Sequence, residues 1–287
     1  MSIDTTMSIR SATVTRAQSP PQRHRLTEAL RRVAAALLVA ALAATGPRPA
    51  AATPSTNFWA PSTPTVQGFG VLHLTYDTYF NHQALYPIDT GLTMGVLPGT
   101  KLQAEVGFDL FYPTFAPGGP VKAPVLLNAK LGSPENAFFD GSPTWSAGVF
   151  AIGFEEDITD YNVLHAMVGR TFPRIGALSV GGYYGLNRDL FRSAAGAERR
   201  GGLMAGWFSP AIDVPVIDRI HLTWDVQTGD NVLGATGGGA YFYVTPAVDV
   251  LMGPVFFFEK ELQPGGSSWM WSMQVDVDLD LRRKGSD

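Results

Sequence analysis

From residue 72 onward, the sequence repeatedly alternates apolar and polar residues with a period of two. The pattern is clearest in residues 269–281, where the odd positions from Trp269 to Leu281 are apolar and the even positions from Ser272 are polar. About twelve such segments of roughly 10 residues follow one another, a length typical of tilted membrane strands. No window beyond residue 52 shows sustained helical spacing. Because successive strand side chains point to opposite faces, an all-β chain is predicted.

Two architectures fit strands that have one fully apolar face. A soluble β-sandwich or jelly roll would bury the apolar faces between sheets. A membrane barrel would turn them toward lipid and would also remove exposed sheet edges by closure. Aromatic residues near the predicted strand ends, including Phe172, Trp207, Phe208 and Trp269, are typical of interfacial girdles. We therefore predict a transmembrane antiparallel β-barrel of about 12 strands, closed by pairing residues 269–281 with the strand near residues 72–76.

Residues 1–52 have a different character from the rest of the chain. They are basic up to Arg32, continue with an apolar run at 33–44 and end in small residues at 50–52. The run is shorter than the roughly 20 residues of a membrane-spanning helix, so it predicts an export signal cleaved near Ala52. Residues 53–68, rich in Pro, Ser and Thr, are interpreted as a linker, and residues 69–287 as an outer-membrane barrel.

An exported chain that starts and ends in the periplasm must cross the membrane an even number of times. The tight turns at 98–99, 173–174 and 245–246 are then predicted on the periplasmic side. The longer connections at 117–120, 187–200, 228–237 and 260–268 are predicted outside. Connections 133–143 and 209–218 are longer than this rule expects for periplasmic turns.

The charge balance makes the chain a poor candidate for nucleic-acid binding. Residues 1–52 hold seven Arg and two acidic residues, so the remainder has 14 basic and 23 acidic residues and a net charge of −9. Nucleic-acid affinity depends on phosphate neutralisation by Lys and Arg. The expected partners are instead outer-membrane lipid and lipopolysaccharide, the barrel-assembly machinery and a small-molecule solute, with no cofactor.

The polar faces of the clearest strands predict the residues that line the pore. Acidic residues outnumber basic ones among them, which favours cations or neutral solutes. The alternative is a closed interior in which these charges neutralise one another. No metal site is predicted, because the histidines lack ligand spacing, and the Asp ladder at 276–280 is interpreted as a solvated or Lys-paired wall. The candidates are His73, Asp77, Lys101, Glu105, Asp109, Lys122, Lys130, His221, Asp225, Asp249, Asp276, Asp278 and Asp280.

Several runs between residues 162 and 258 resemble an outer-membrane family named for the meta-pathway of phenol degradation. They are Val168-Gly169-Arg170, GALSVGGYYG at 176–185, GLMAGW at 202–207, DVQTGDN at 225–231, and the close pair YVTP at 243–246 and DVLMGP at 249–254. The resemblance implies a porin-like barrel with a transport role. The basic residues after Leu281 depart from the aromatic end that is common in outer-membrane strands.

The predicted function is passive uptake of small molecules, including hydrophobic or aromatic ones, across the outer membrane. A structural or adhesive surface barrel is the alternative, and a barrel hydrolase a more remote one. His221 and Asp225 share a strand face, but no Ser neighbours them, so the chain is predicted not to be an enzyme.

Overall fold

A computed structural model describes residues 56–82, 84, 88–112, 115–116, 119–120 and 122–282. The predicted export signal and its cleavage site lie outside these residues. No helix in the described ranges is both long enough and apolar enough to cross a membrane.

In the described residues, twelve long strands form one closed antiparallel barrel, as the alternation predicts. A two-stranded hairpin of β4 and β5 lies in the connection from β3 to β6. Two short 3₁₀ turns, Lys260–Leu262 and Pro264–Gly266, lie between β13 and β14. The strands are β1 (Val71–Phe80), β2 (Ile88–Gly95), β3 (Gln103–Tyr112), β4 (Phe115–Ala116), β5 (Gly119–Pro120), β6 (Val125–Ser133), β7 (Thr144–Ile152), β8 (Val163–Phe172), β9 (Gly176–Gly185), β10 (Gly201–Phe208), β11 (Arg219–Gln227), β12 (Ala235–Thr245), β13 (Val248–Phe257) and β14 (Trp269–Asp280).

The first and last strands close the barrel, which confirms the predicted pairing. The register runs from Val71 opposite Asp280 to Phe80 opposite Trp271, and the other edge of β1 pairs with β2. Because every neighbouring pair is antiparallel, β1 begins and β14 ends at the same end of the barrel, here called the terminal end. The opposite end is called the distal end.

The outer surface of the barrel is apolar and its inner surface is polar. On β14 the even side chains from Ser272 to Asp278 are buried inside, whereas Trp269 and Trp271 are exposed outside. Large apolar side chains exposed along the other strands form what we call the apolar belt, which includes Val106, Leu131, Leu164, Val180, Leu203, Leu222 and Val244. A soluble sandwich would bury such faces, so the barrel has the inside-out polarity of a membrane protein.

Candidate functional site: the barrel lumen

Residues 56–68 lie inside the barrel, and we call them the lumen segment. Asn57, Phe58, Ala60, Ser62 and Gln67 are each at most 3% exposed. The segment contacts β11 and β12 near Phe58, β9 near Ser62 and β3 near Gln67 before the chain enters β1. Composition predicts only a linker here, so the path through the lumen is a finding of the structure.

Asp225 on β11 holds the first part of the lumen segment. Its Oδ2 atom accepts hydrogen bonds from the backbone N–H groups of Phe58 (3.0 Å), Trp59 (2.9 Å) and Ala60 (2.9 Å). The hydroxyl of Ser62 donates a fourth bond to the same oxygen at 3.1 Å. Since bonds to a carboxylate are stronger than neutral ones, this side chain is the main polar anchor of the segment.

Further hydrogen bonds from β11 and β14 hold the start of the segment. Asn57 donates from Nδ2 to the Trp224 carbonyl at 2.9 Å and accepts a bond from the Thr223 hydroxyl at 2.7 Å. Gln274 on β14 donates from Nε2 to the Phe58 carbonyl at 2.8 Å. Donors from two separate parts of the wall therefore fix the same few residues.

Glycines in the wall make room for the lumen segment. A Cβ added at Gly237 would lie 2.6 Å from the Phe58 ring. Residues 237–239 belong to β12, so this glycine run lies in the barrel wall beside Phe58. Glycines also face other parts of the segment, at Gly95, Gly132, Gly169 and Gly206.

A Gly237→Ala variant should therefore destabilise the folded barrel. Its methyl group would press on the buried Phe58 ring, and overpacking of this kind costs about 1 to 3 kcal/mol. The measurement is the temperature at which the folded band converts to the unfolded band in gel electrophoresis. Gly182→Ala is the control, because its Cβ would have no heavy neighbour closer than 3.1 Å. Equal conversion temperatures for both variants would contradict the packing role.

Two cavities border the lumen segment in the described part of the chain. The distal cavity, of about 320 Å³, is lined by the segment at Phe58, Trp59 and Pro61 and by the inner faces of β1, β2, β3, β6 and β7. The terminal cavity, of about 430 Å³, is lined by Asn57, residues 63–66 and the terminal ends of β8, β9 and β10. Residues of the lumen segment thus line both cavities.

The connection from β9 to β10 covers one side of the distal mouth. Phe191 in this connection is fully buried and packs with Tyr183. Asn231 donates from Nδ2 to the Arg199 carbonyl at 2.7 Å, which ties this connection to the one that follows β11. At the exposed tip, a hydrogen bond from the Arg192 guanidinium holds the pKa of Asp189 below its usual range.

Most of the predicted pore-lining residues lie on the inner wall. Lys101 and Lys122 do not, because both are exposed in connections outside the strands. Asp280 is the last residue of β14 and accepts bonds from the Arg282 guanidinium at 2.5 and 2.8 Å. The inner-wall residues are His73, Asp77, Glu105, Asp109, Lys130, His221, Asp225, Asp249, Asp276 and Asp278, and the first five of these line the distal cavity.

The predicted Asp ladder is paired with a histidine instead of forming a solvated or Lys-paired wall. His73 Nδ1 lies 2.7 Å from Asp278 Oδ1, and its Nε2 lies 3.6 Å from Asp276 Oδ1. Asp249 faces Asp276 across the pairing of β13 and β14. In the described part of the chain, no group of three His, Asp or Glu side chains is placed to hold a metal ion.

Glu105 and Lys130 form a second anchor, at the other end of the lumen segment. Lys130 Nζ lies 3.1 Å from Glu105 Oε1, and both side chains are buried. Glu105 Oε2 accepts a hydrogen bond from the Gln67 N–H at 2.6 Å. The ion pair therefore orients the carboxylate that fastens the segment just before β1.

Replacing Lys130 by Met should destabilise the barrel by about 3 kcal/mol. The variant leaves the buried Glu105 carboxylate without its cation, and such unpaired buried charges cost about 3 to 5 kcal/mol. The measurement is the urea midpoint of unfolding in lipid vesicles. The double variant Lys130→Met with Glu105→Gln removes both charges and should recover most of the loss. A double variant no more stable than the single one would argue against the ion pair.

The hydrolase alternative lacks a matching arrangement at His221 and Asp225. His221 Nδ1 lies 2.8 Å from the Ser209 carbonyl, and its ring stacks on Phe208 at 4.4 Å. Asp225 is instead bonded to the lumen segment.

Because its ring stacks on His221 of the inner wall, Phe208 lies inside the lumen, not in the outer aromatic girdle that the sequence suggests.

One inner-wall acid, Asp89, is missing from the predicted set. It lies on β2 directly opposite Asp77 and lines the distal cavity. Its place on the polar face of the second alternating segment is the signal that identifies it. For the lumen segment, the comparable signal is the bulky pair Phe58 and Trp59 within an otherwise small and polar stretch.

Comparisons with known proteins return structures but no sequence family. No protein-family model and no curated protein matches the chain. Similar solved structures include an outer-membrane channel from Pseudomonas putida F1, with 10% identity and a TM-score of 0.42, covering 75% of this chain and 97% of that chain. The porin NanC has 10% identity and a TM-score of 0.43, covering 73% and 100%. The Salmonella typhi outer-membrane phospholipase OMPLA, a dimer with bound calcium, has 13% identity and a TM-score of 0.43, covering 76% and 94%. The barrel assignment rests on the strand pairing of the chain itself.

Proposed function

We propose that this chain is a passive channel for small molecules across the outer membrane. The observation that carries the proposal is a closed barrel with an apolar outer surface and a polar lumen that holds two cavities beside the lumen segment. Movement through it would be diffusion, without a cofactor or an energy source.

The position of aromatic side chains supports a place in the membrane. Phe256, Trp269 and Trp271 are exposed on the outer face near the distal end, and Phe172 is exposed near the terminal end. Aromatic girdles of this kind flank the apolar band of outer-membrane barrels at both interfaces. The predicted export signal agrees with this location and orients the terminal end toward the periplasm.

Aromatic rings around the distal cavity support small aromatic solutes. Trp59, Tyr79, Phe111, Phe150 and Tyr161 all line it. Solutes would leave this cavity beside the lumen segment to reach the terminal cavity. The resemblance to the family named for phenol degradation agrees with an aromatic solute, and membership of that family stays part of the proposal.

Single-channel recording in planar bilayers tests the channel proposal. Folded protein, verified by its heat-modifiable gel band, should give discrete current steps, and vesicles that contain it should swell in a solution of a small aromatic alcohol. Folded protein that yields neither current nor swelling would overturn the proposal. Release of fatty acids or peptides by the same sample would favour the hydrolase instead.

A further inference from the structure

We infer that the distal cavity binds a small organic cation with an apolar body, such as an ammonium group attached to an aromatic ring. This inference names a substrate class for the lumen and rests on the proposed function for its role in transport. It stands on three features of the cavity, which are a set of acids without cations, unpartnered polar atoms and aromatic rings.

Three carboxylates on adjacent strands face the cavity. Asp77 on β1 lies directly opposite Asp89 on β2, and Asp109 on β3 lies opposite Gly91, two residues along from Asp89. Strand geometry places directly opposite Cβ atoms about 5 Å apart and diagonal ones within about 8 Å. Like charges directly opposite each other on two strands are destabilising, so the arrangement costs stability unless a cation or a proton is added.

None of these three carboxylates makes an ion pair within the described ranges. Asp77 accepts a bond from the Thr75 hydroxyl at 2.9 Å, and Asp109 accepts one from Asn128 Nδ2 at 2.5 Å. The cationic side chains that line the same cavity are engaged elsewhere, His73 with Asp278 and Lys130 with Glu105. The cavity wall therefore holds three carboxyl groups that no side-chain cation pairs with in the described ranges.

Polar atoms buried in the same wall have no hydrogen-bond partner in the described part of the chain. They are Nε2 of Gln227, which is 2% exposed, Nδ1 of His165, which is 7% exposed, and Oδ1 of Asp89. All three residues line the cavity. Buried polar groups are nearly always satisfied, so this group indicates a polar occupant. Asp89 Oδ1 and His165 Nδ1 can accept a hydrogen bond from an ammonium group, whereas Gln227 Nε2 is itself a donor.

Aromatic rings suit the rest of such an occupant. Trp59 and Tyr79 meet edge to face at 5.3 Å, and Phe111 lies directly opposite Asp89 on β3. Ring faces attract organic cations and also bury their apolar part. A volume of about 320 Å³ is at the lower end of the range for small-ligand pockets, which fits a single-ring compound.

The test compares three probes of similar shape and different charge on the full, detergent-solubilised chain. They are 2-phenylethylamine, which is cationic at neutral pH, 2-phenylethanol and phenylacetate. Binding is measured by calorimetry. The amine should bind about tenfold or more tightly than the alcohol, and phenylacetate should bind least. Equal binding of amine and alcohol would overturn the inference without any variant.

Asp89→Asn is the test variant and Asp213→Asn its control, because Asp213 carries the same charge in an exposed connection at the terminal end. Asp89→Asn should weaken amine binding by about tenfold and leave alcohol binding unchanged, whereas Asp213→Asn should change neither. Equal amine affinities in both variants would contradict the inference. Current recordings separate the two proposals. Amine binding without conductance would reject only the channel. Conductance without preferential binding of the amine would reject only the cation site.

Discussion

An Asp225→Ala variant should carry clearly more current than the native chain. The Asp225 carboxylate is 0% exposed, and four donors of the lumen segment converge on its Oδ2 atom. Its removal leaves three backbone N–H groups, those of Phe58, Trp59 and Ala60, without their acceptor. A buried donor without a partner costs about 1 to 3 kcal/mol, so the change strongly weakens the binding of the segment inside the lumen.

The barrel itself should survive this change, because the ladder of β11 with β10 and β12 is made by the backbone. The expected recording is therefore larger or noisier current steps from a protein that still shows a folded gel band. Asp249→Ala is the matched control, since Asp249 is also a buried inner-wall acid but its position opposite Asp276 is on β13, away from Asp225. Equal conductance increases in the two variants would mean that lost side-chain volume, not segment release, opens the path.

Chemical labelling gives an independent measure of segment release. The chain has no cysteine, so an Ala60→Cys variant carries a single reactive thiol. Ala60 is fully buried and packs beside Val163 and Met204. A water-soluble maleimide should react slowly with Ala60→Cys alone and many times faster when Asp225→Ala is added. Unchanged labelling would show that the segment stays in place without its anchor.

The barrel could be predicted from sequence because its determinants are local. A period of two in each segment sets which side chains face out, and about twelve such segments set the closure, including the pairing of β1 with β14. The alternation of apolar and polar residues also continues by chance beyond the ends of the strands. Lys101 and Lys122 share the polar parity of their segments, but β3 starts at Gln103 and β6 at Val125, so these two lysines lie in connections.

The contents of the lumen could not be predicted in the same way. The contact of Phe58 with Asp225 spans 167 residues, and its donors are backbone N–H groups that every residue except proline has. The parity of His73 and Asp278 shows that both face inward, but their pairing appears only after closure. In the sequence, Gly237 likewise indicates only a turn. Its packing role appears in the structure, where Phe58 lies against it.

Replacing Val180 by Arg should be among the most damaging single changes on the outer surface. Val180 is 58% exposed and lies near the middle of β9, within the apolar belt. If the belt faces lipid, an Arg near the bilayer midplane costs about 2 to 4 kcal/mol. If the belt faced water, a charged side chain at so exposed a position would change stability by only about 0.5 kcal/mol.

Leu186→Arg is the control that distinguishes a lipid-facing belt from a water-facing one. Leu186 is 48% exposed and follows the last residue of β9, so it has similar exposure but lies beyond the strand, at the distal rim. The cost of Arg falls to about 0 to 1 kcal/mol near the interface. Urea unfolding of both variants in lipid vesicles should therefore show a large loss for Val180→Arg and little for Leu186→Arg. Equal losses of stability in the two variants would contradict a lipid-facing apolar belt. The cost of an Arg side chain depends on its depth in a bilayer, whereas in water it does not depend on position along the barrel.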